Sequence, residues 1–170
     1  IETSGQIDFL FNNAGIGIGG EIDSCTIDDW NNIIDVNLRG VINGIQTILP
    51  RIRARRQGGH VVNTSSMTGI LTIPNATIYA MAKSGMVGLS EAMRGELAPE
   101  NIGVSAFCPG PVQSNISETG RTRPQQFSGG NSGFAELEKT LEKRPVSPLW
   151  MDAVECGERV LSGIRHNDMY

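Results

Sequence analysis

Tyr79 and Lys83 stand four residues apart in Tyr-Ala-Met-Ala-Lys, and Ser66 lies thirteen residues before the tyrosine. On a helix that spacing puts the phenol and the ammonium on one face, roughly 6 Å apart along the axis. A free tyrosine titrates at about 10, too high for a base at neutral pH. A neighbouring ammonium favours the phenolate and is expected to pull the Tyr79 value down. A serine hydroxyl beside the phenol would hold a substrate oxygen. Together these residue types describe proton transfer at an alcohol or carbonyl oxygen. They do not say where a hydride would go.

The elements that must position these groups alternate between strand and helix. Residues 7–11 form a short apolar run, expected as a strand buried on both faces. Thr26 is placed to cap a helix, with Asp28 and Asp29 in its first turn, where carboxylates suit the dipole. Trp30, Ile33, Ile34, Leu38, Val41, Ile42, Ile45 and Leu49 make its apolar stripe. Asn37 interrupts that stripe, and Pro50 is expected to kink the helix or start a new turn. Residues 60–63 open a second strand. Residues 76–97 read as the helix bearing Tyr79 and Lys83. Gly85, Gly88 and Gly95 weaken its intrinsic propensity, so packing must hold it. Residues 104–107 read as a third strand, ended by Pro109-Gly110. From 113 to about 146 the composition is that of a loop, rich in Ser, Thr, Gly, Pro and Gln. Residues 134–144 read as a short helix, and 152–164 as a last helix with Val154, Val160, Leu161 and Ile164 facing inward.

Several motifs accompany the Ser-Tyr-Lys set. The first strand ends in Asn12-Asn13-Ala14-Gly15, and Asp35-Val36-Asn37-Leu38-Arg39-Gly40 follows in the first helix. Next come Gly59-His60-Val61-Val62-Asn63-Thr64-Ser65-Ser66 and, after Lys83, Val104-Ser105-Ala106-Phe107-Cys108-Pro109-Gly110-Pro111-Val112. In this order and spacing the chain resembles the short-chain dehydrogenase/reductase family from residue 6 to about residue 163.

The resemblance implies an α/β fold, a three-layer Rossmann-like parallel sheet with helices on both faces, lacking the first βαβ unit or units. Residues 1–170 would make a single, partial domain, with a substrate lid at about 113–146 or, on the blander reading, a surface insertion there. It implies a hydride passed between NAD or NADP and a secondary alcohol or ketone. Tyr79 would be the general acid/base. Lys83 would be its electrostatic partner and a ligand of the nicotinamide ribose, and Ser66 would hold the substrate oxygen. Asn37 matches the asparagine that anchors a water beyond the lysine, or else simply caps a helix kink. Asn13, Ala14 and Gly15 would line the adenosine side of the cofactor, or form only a tight turn. Pro109, Gly110 and Val112 would meet the nicotinamide end. Ser114 stands where many relatives have threonine. Dehalogenase relatives carry arginine where Lys83 stands, and enoyl reductases space the tyrosine and lysine further apart.

No Gly-x-x-x-Gly-x-Gly pattern precedes Asn12. The Gly15-Ile16-Gly17-Ile18-Gly19-Gly20 stretch follows the Asn-Asn-Ala-Gly strand and is the loop after the family's fourth strand. The resemblance therefore implies a member cut at its N-terminal side, and its last residues fall where a final strand would start. The coenzyme-selecting residue would lie on an absent strand. The alternative is a non-catalytic fragment that cannot bind dinucleotide alone, because the pyrophosphate turn is missing and an apolar strand edge is exposed.

The composition sets further limits. The 170 residues suit one domain, and 39% hydrophobic with 19% charged residues is enough for a core. A net charge of −4 carries no nucleic-acid footprint. Arg51, Arg53, Arg55 and Arg56 precede Gly58-Gly59 and read as charges at a helix C-terminus. Cys25, Cys108 and Cys156 are odd in number and far apart, which argues against disulfides or a zinc site and suits a reducing, cytoplasmic setting. No apolar run is long enough to span a membrane. Ile73, Pro74, Ile78, Phe127 and Phe134 suggest an apolar small-molecule partner. Relatives commonly form dimers or tetramers through the helices that begin near Thr26 and Ala76, so a homodimer or homotetramer is expected.

Overall fold

A computed structural model of the chain describes residues 5–17, 19–118, 147 and 149–170. Strands β1 (Phe9–Asn12), β2 (Gly59–Thr64) and β3 (Ile102–Phe107) form a parallel sheet in that order. Register places Leu10 opposite Val61 and Val61 opposite Val104. One row further, Asn12 faces Asn63 and Asn63 faces Ala106. Each parallel step needs a crossover, and helices supply it.

The first crossover contains α1 (Ile27–Ile34) and α2 (Gly40–Arg55), joined by a π-helical turn at Asp35–Arg39. Thr26 caps α1 in a reciprocal box: its amide donates to the Asp29 carboxylate at 2.8 Å, and the Asp29 amide donates back to Thr26 Oγ1 at 3.2 Å. The stripe break at Asn37 is the π turn itself, in which the Gly40 amide reaches back to Asp35 O. An extra residue in one turn rotates Asn37 inward, where it is fully buried. Pro50 neither ends nor divides α2, which runs through it to Arg55. Ile42, placed in the apolar stripe by periodicity, is half-exposed.

The second crossover is α3 (Thr77–Leu97), within one residue of the sequence expectation. Helices α2 and α3 cover the sheet face that carries Leu10, Val61 and Val104. Leu49 and Ile52 of α2 and Met93 and Leu97 of α3 complete that core. Small residues set the spacing. A Cβ on Gly44 would collide with Asn12 Oδ1, so α2 lies against β1 only because residue 44 has no side chain. At the far end, Gly58 turns the chain with φ +76, and a Cβ there would stand 2.5 Å from Asn101 O.

Helix α4 (Ala153–His166) serves the opposite face. Asp152 caps it, accepting from the Val154 amide at 2.8 Å. Its buried contact is Cys156, while Val154 is 71% exposed, contrary to the periodicity reading, and Leu161 is half-exposed. The amphipathic register is rotated because α4 touches the sheet chiefly at β3. After α4 the chain runs beside β3: the Ala106 amide donates to Met169 O at 2.8 Å, and Ser105 Oγ donates to Asp168 O at 2.5 Å. Arg94 of α3 donates to Val104 O at 2.8 Å and to Asn167 O, locking this stretch down.

β1 departs from the expected burial on both faces. Leu10 and Asn12 face α2, but Phe9 and Phe11 on the opposite face are 51% and 49% exposed. Alternation along the strand therefore separates a packed row from an open one. Of the arginine run, Arg53 pairs with Glu100 at 2.7 Å and Arg55 with Asp8 at 2.6 Å, as helix-end charges. The expected lid at about 113–146 and the helix at 134–144 lie largely outside the described residues, as do Phe127 and Phe134. The chain on either side of that segment is described. Val112 bridges Met151 in parallel, and the Gln113 amide donates to Met151 O at 3.0 Å. Among the described residues, no helix is long and apolar enough to cross a membrane, and no cluster of potential metal ligands occurs.

Candidate active site

The candidate groups meet at the C-terminal ends of the parallel strands, where open α/β sheets place their ligands. β2 delivers Ser65 and Ser66, and α3 delivers Tyr79 and Lys83 from its first two turns. The π turn delivers Asn37. The segment after β1 delivers Gly15 and Ile16, and the segment after β3 delivers Cys108 and Pro109. Ile33, Ile78 and Ala82 form the apolar floor, with Ile16, Trp30 and Tyr79 packed against it.

Lys83 is 3% exposed. Its ammonium donates to Thr64 O at 2.8 Å and lies 5.6 Å from the centroid of the Tyr79 ring. Burial pulls its pKa down to about 8, partly offset by Cys108. Burial pushes the Tyr79 phenol up from its usual value, and a hydrogen bond from the Ser66 side chain partly counters this. The expected lowering by Lys83 is not what this arrangement produces. The ammonium is committed to a backbone carbonyl and sits over the ring, so desolvation of the phenol wins. Tyr79 therefore holds its proton at neutral pH.

Ser66 Oγ accepts from the Thr68 amide at 3.1 Å, capping a short turn at Met67–Gly69. With a donor already directed at its oxygen, the hydroxyl has its own proton to give. Cys108 sits behind this corner. Burial pushes its thiol up, while Ser65, the Ser66 amide and Lys83 favour the thiolate.

Asn37 is held at both ends of its amide. Its Oδ1 accepts from the Ile16 amide at 2.8 Å, and its Nδ2 donates to Ile16 O at 2.9 Å. This two-point grip fixes the loop after Asn13. Gly15 lies between Asn37 and Lys83, where an added Cβ would be 3.4 Å from both Asn37 Oδ1 and Lys83 Nζ. The cradle thus brings backbone close to the ammonium. Asn13 and Ala14 are exposed at the strand end, and Asn13 Oδ1 accepts from Thr64 Oγ1 at 3.0 Å.

Pro109, Gly110 and Val112 line a cavity of about 760 Å³ between the end of β3 and the start of α4, with Trp150 and Cys156 across it. Tyr79 does not line this cavity, and neither does Ser114, which is exposed just beyond it. The structure therefore gathers Ser66, Tyr79, Lys83, Asn37 and Gly15 in one corner and places Pro109, Gly110 and Val112 in an adjoining hollow.

Sequence reading missed the polar ladder beneath the corner. Asn12 Nδ2 donates to Asn63 Oδ1 at 2.8 Å, Asn63 Nδ2 donates to Ser90 Oγ at 2.9 Å, and Ser90 Oγ donates to Met86 O at 2.8 Å. Asn12 and Asn63 are polar residues ending apolar strands, which was the available signal. Ser65, next to Ser66, is 2% exposed and donates to Lys83 O at 2.7 Å.

The sequence profile of a family described as short chain dehydrogenase matches residues 1–125. A C alpha-dehydrogenase from a Sphingobium species is 36% identical over 162 residues, 95% of this chain and 52% of that protein. A short chain dehydrogenase/reductase from Burkholderia phymatum, solved with NAD, superposes with a TM-score of 0.90 at 28% identity, covering 99% of this chain and 62% of that one. A gluconate 5-dehydrogenase from Burkholderia cenocepacia, solved with NADP and tartrate, gives a TM-score of 0.65 at 30% identity over 75% of this chain and 49% of that one. The chain spans about half the length of the curated relatives it matches.

Proposed function

This chain belongs to the short chain dehydrogenase family, whose members are oxidoreductases, and from that premise we propose that the protein containing it moves a hydride between NAD or NADP and a secondary alcohol or ketone, with Tyr79 handling the proton. The observation that carries the reading is the convergence of Ser66, Tyr79 and Lys83, with Lys83 anchored on Thr64 O and its ammonium over the Tyr79 ring. The dinucleotide, when bound, supplies or accepts the hydride.

The chain's own residues divide the rest. In the reducing direction Tyr79, protonated at rest, donates to the carbonyl oxygen as it gains charge. Ser66 donates a second hydrogen bond to the same oxygen and stabilises the alkoxide as it forms. Lys83 gives one hydrogen bond to Thr64 O among the described residues, and an ammonium has further protons with which it would hold a ribose hydroxyl. Asn37 holds the Ile16 backbone and with it the Gly15 gap beside Lys83. In the oxidising direction Tyr79 takes the proton, which requires positive charge nearby to bring its pKa down.

A dinucleotide fits these residues. The glycine at 15 keeps backbone open for close approach, and Pro109, Gly110 and Val112 wall a hollow beside the corner. Support for an apolar substrate comes from Met67, Ile70, Leu71 and Ile73, all about half-exposed or more, in the segment between Ser66 and Tyr79. Ser114 is assigned a peripheral contact to the cofactor. The segment from 113 to about 146 is assigned as the lid, closing a single domain. The uncharged outer face of α3, at Met81, Gly85 and Gly88, suits pairing with a second copy.

A second reading is favoured by the open row at Phe9 and Phe11: the chain by itself does not close a dinucleotide site. A titration with NADH and NADPH, following nicotinamide fluorescence, separates the two. Saturable binding weakened in Lys83→Ala supports a working cofactor site in these residues. A folded chain that shows no binding leaves the activity to the longer protein. There, Tyr79→Phe must lower ketone reduction by about 10²- to 10⁴-fold; an unchanged rate removes Tyr79 from the chemistry.

A further inference from the structure

β2 ends at Thr64, two residues before Ser66. Its backbone is extended, at φ −167 and ψ 158, immediately before the Met67–Gly69 turn. Two backbone hydrogen bonds tie this corner to the end of β3: Ser65 N to Phe107 O at 2.7 Å and Met67 N to Pro109 O at 2.9 Å. They set the depth of the corner but leave its distance from α3 undetermined.

Two side chains set that distance. Ser65 Oγ donates to Lys83 O at 2.7 Å, and Ser84 Oγ donates to Gly69 O at 3.0 Å. The bonds run in opposite senses, one from the turn to the helix and one from the helix to the turn. Gly69 allows the contact, since a Cβ there would stand 2.6 Å from Ser65 Oγ and 2.7 Å from Lys83 O. Backbone therefore rests on backbone, one helical turn beyond Tyr79. We propose that Ser65 and Ser84 are positioning residues that clasp the Met67–Gly69 turn onto α3 and so aim the Ser66 hydroxyl at Tyr79. The proposal rests on the reading of Ser66 and Tyr79 as the proton-transfer pair.

Ser66 Oγ receives the Thr68 amide and keeps one proton to donate, whose direction depends on where the turn sits. A turn free to slide along α3 would still present a serine, but not one pointed at the phenol. Ser84 is exposed and makes no contact with the reacting atoms, so its effect passes wholly through Gly69.

The sequence contains two tyrosines, Tyr79 and Tyr170. In a Tyr170→Phe background the ultraviolet absorbance of tyrosinate therefore reports Tyr79 alone. Turnover is not needed, so a chain inactive by itself still gives the answer, and circular dichroism follows folding along the titration. Ser66→Ala is expected to shift the Tyr79 titration upward, because the donor to the phenolate is lost. Ser65→Ala and Ser84→Ala are expected to shift it in the same direction by less, and Ser84→Thr, which keeps a hydroxyl, to restore the parent value. If Ser84→Ala and Ser65→Ala titrate like the parent while Ser66→Ala moves, the clasp is overturned. If Ser66→Ala itself does not move, the pairing with Tyr79 is wrong and the proposal falls with it. Should buried Ser65→Ala fail to fold, exposed Ser84→Ala decides alone.

Discussion

The two faces of the sheet contrast in how they are held. On the α2–α3 face the strand residues Leu10, Val61 and Val104 are packed, and the polar residues Asn12, Asn37, Asn63 and Lys83 all have partners within the described residues. On the opposite face, α4 covers β3, while Phe9 and Phe11 of β1 stand half in solvent. The first face carries the corner formed by Ser66, Tyr79 and Lys83. The second is the side on which the proposed cofactor hollow opens. The Ser66–Tyr79–Lys83 corner and the hollow walled by Pro109, Gly110 and Val112 are thus held by different parts of this fold.

The contrast breaks most easily at Asn37. Asn37→Ala leaves the Ile16 amide and carbonyl without their buried partners, and is expected to cost about 3 kcal/mol. Urea unfolding measures this, and a loss below a few tenths of a kcal/mol would mean the grip on Ile16 is incidental. Gly44→Ala tests the same face by overpacking. Its Cβ collides with Asn12, which is pinned by Asn63, so a loss of about 2 kcal/mol is expected.

Protonation sharpens the comparison. The Lys83 pKa is about 8 in the folded chain against an ordinary value of 10.5, so between these pH values the unfolded chain binds more protons. Burial of Lys83 therefore penalises the fold fully below pH 8, and stability should rise between pH 8 and 10.5 as the penalty is relieved. Lys83→Met should flatten that rise, measured as urea midpoints across the range. On the other face, burial, and secondarily Arg94, lower the His60 pKa, so stability should fall as pH drops through the ordinary histidine value of 6.5. His60→Gln should remove that fall.

The smallest effect is expected on the open row. Phe9→Thr and Phe11→Thr replace half-exposed rings with another strand-forming residue, and each should change stability by about 0.5 kcal/mol or less. A loss of several kcal/mol from either would show that this row is covered after all.

Much of the fold was legible because its signals are local. Three strands, the helix at 77–97 and the Thr26 cap follow from apolar runs, period and capping chemistry over a few residues. Errors arose where burial depends on what lies across from an element. Phe9 and Phe11 look like core strand residues, and Val154 lies at a helical core position, but no described element packs on them. Pro50, expected to kink the helix or start a new turn, starts none: α2 runs through it, since only one amide is forgone in a helix held by its packing against the sheet.

For the site, the sequence by itself determined which groups are present and which spacing brings them to one helix face. Tyr79 and Lys83 had to be neighbours once the helix formed, since i, i+4 geometry is set by the backbone alone. Tertiary structure decided their electrical state. The ammonium was expected to lower the phenol's pKa, but the fold commits Lys83 to Thr64 O and buries the phenol, so desolvation sets the direction. Tertiary structure also decided the partners: Asn37 with Ile16, Asn12 with Asn63, and Ser65 and Ser84 with the backbone of the facing segment. Spacing along one chain fixes short distances within an element. The desolvation energy of a charge and the aim of a hydroxyl depend on atoms brought in from elsewhere, and only the folded chain supplies those.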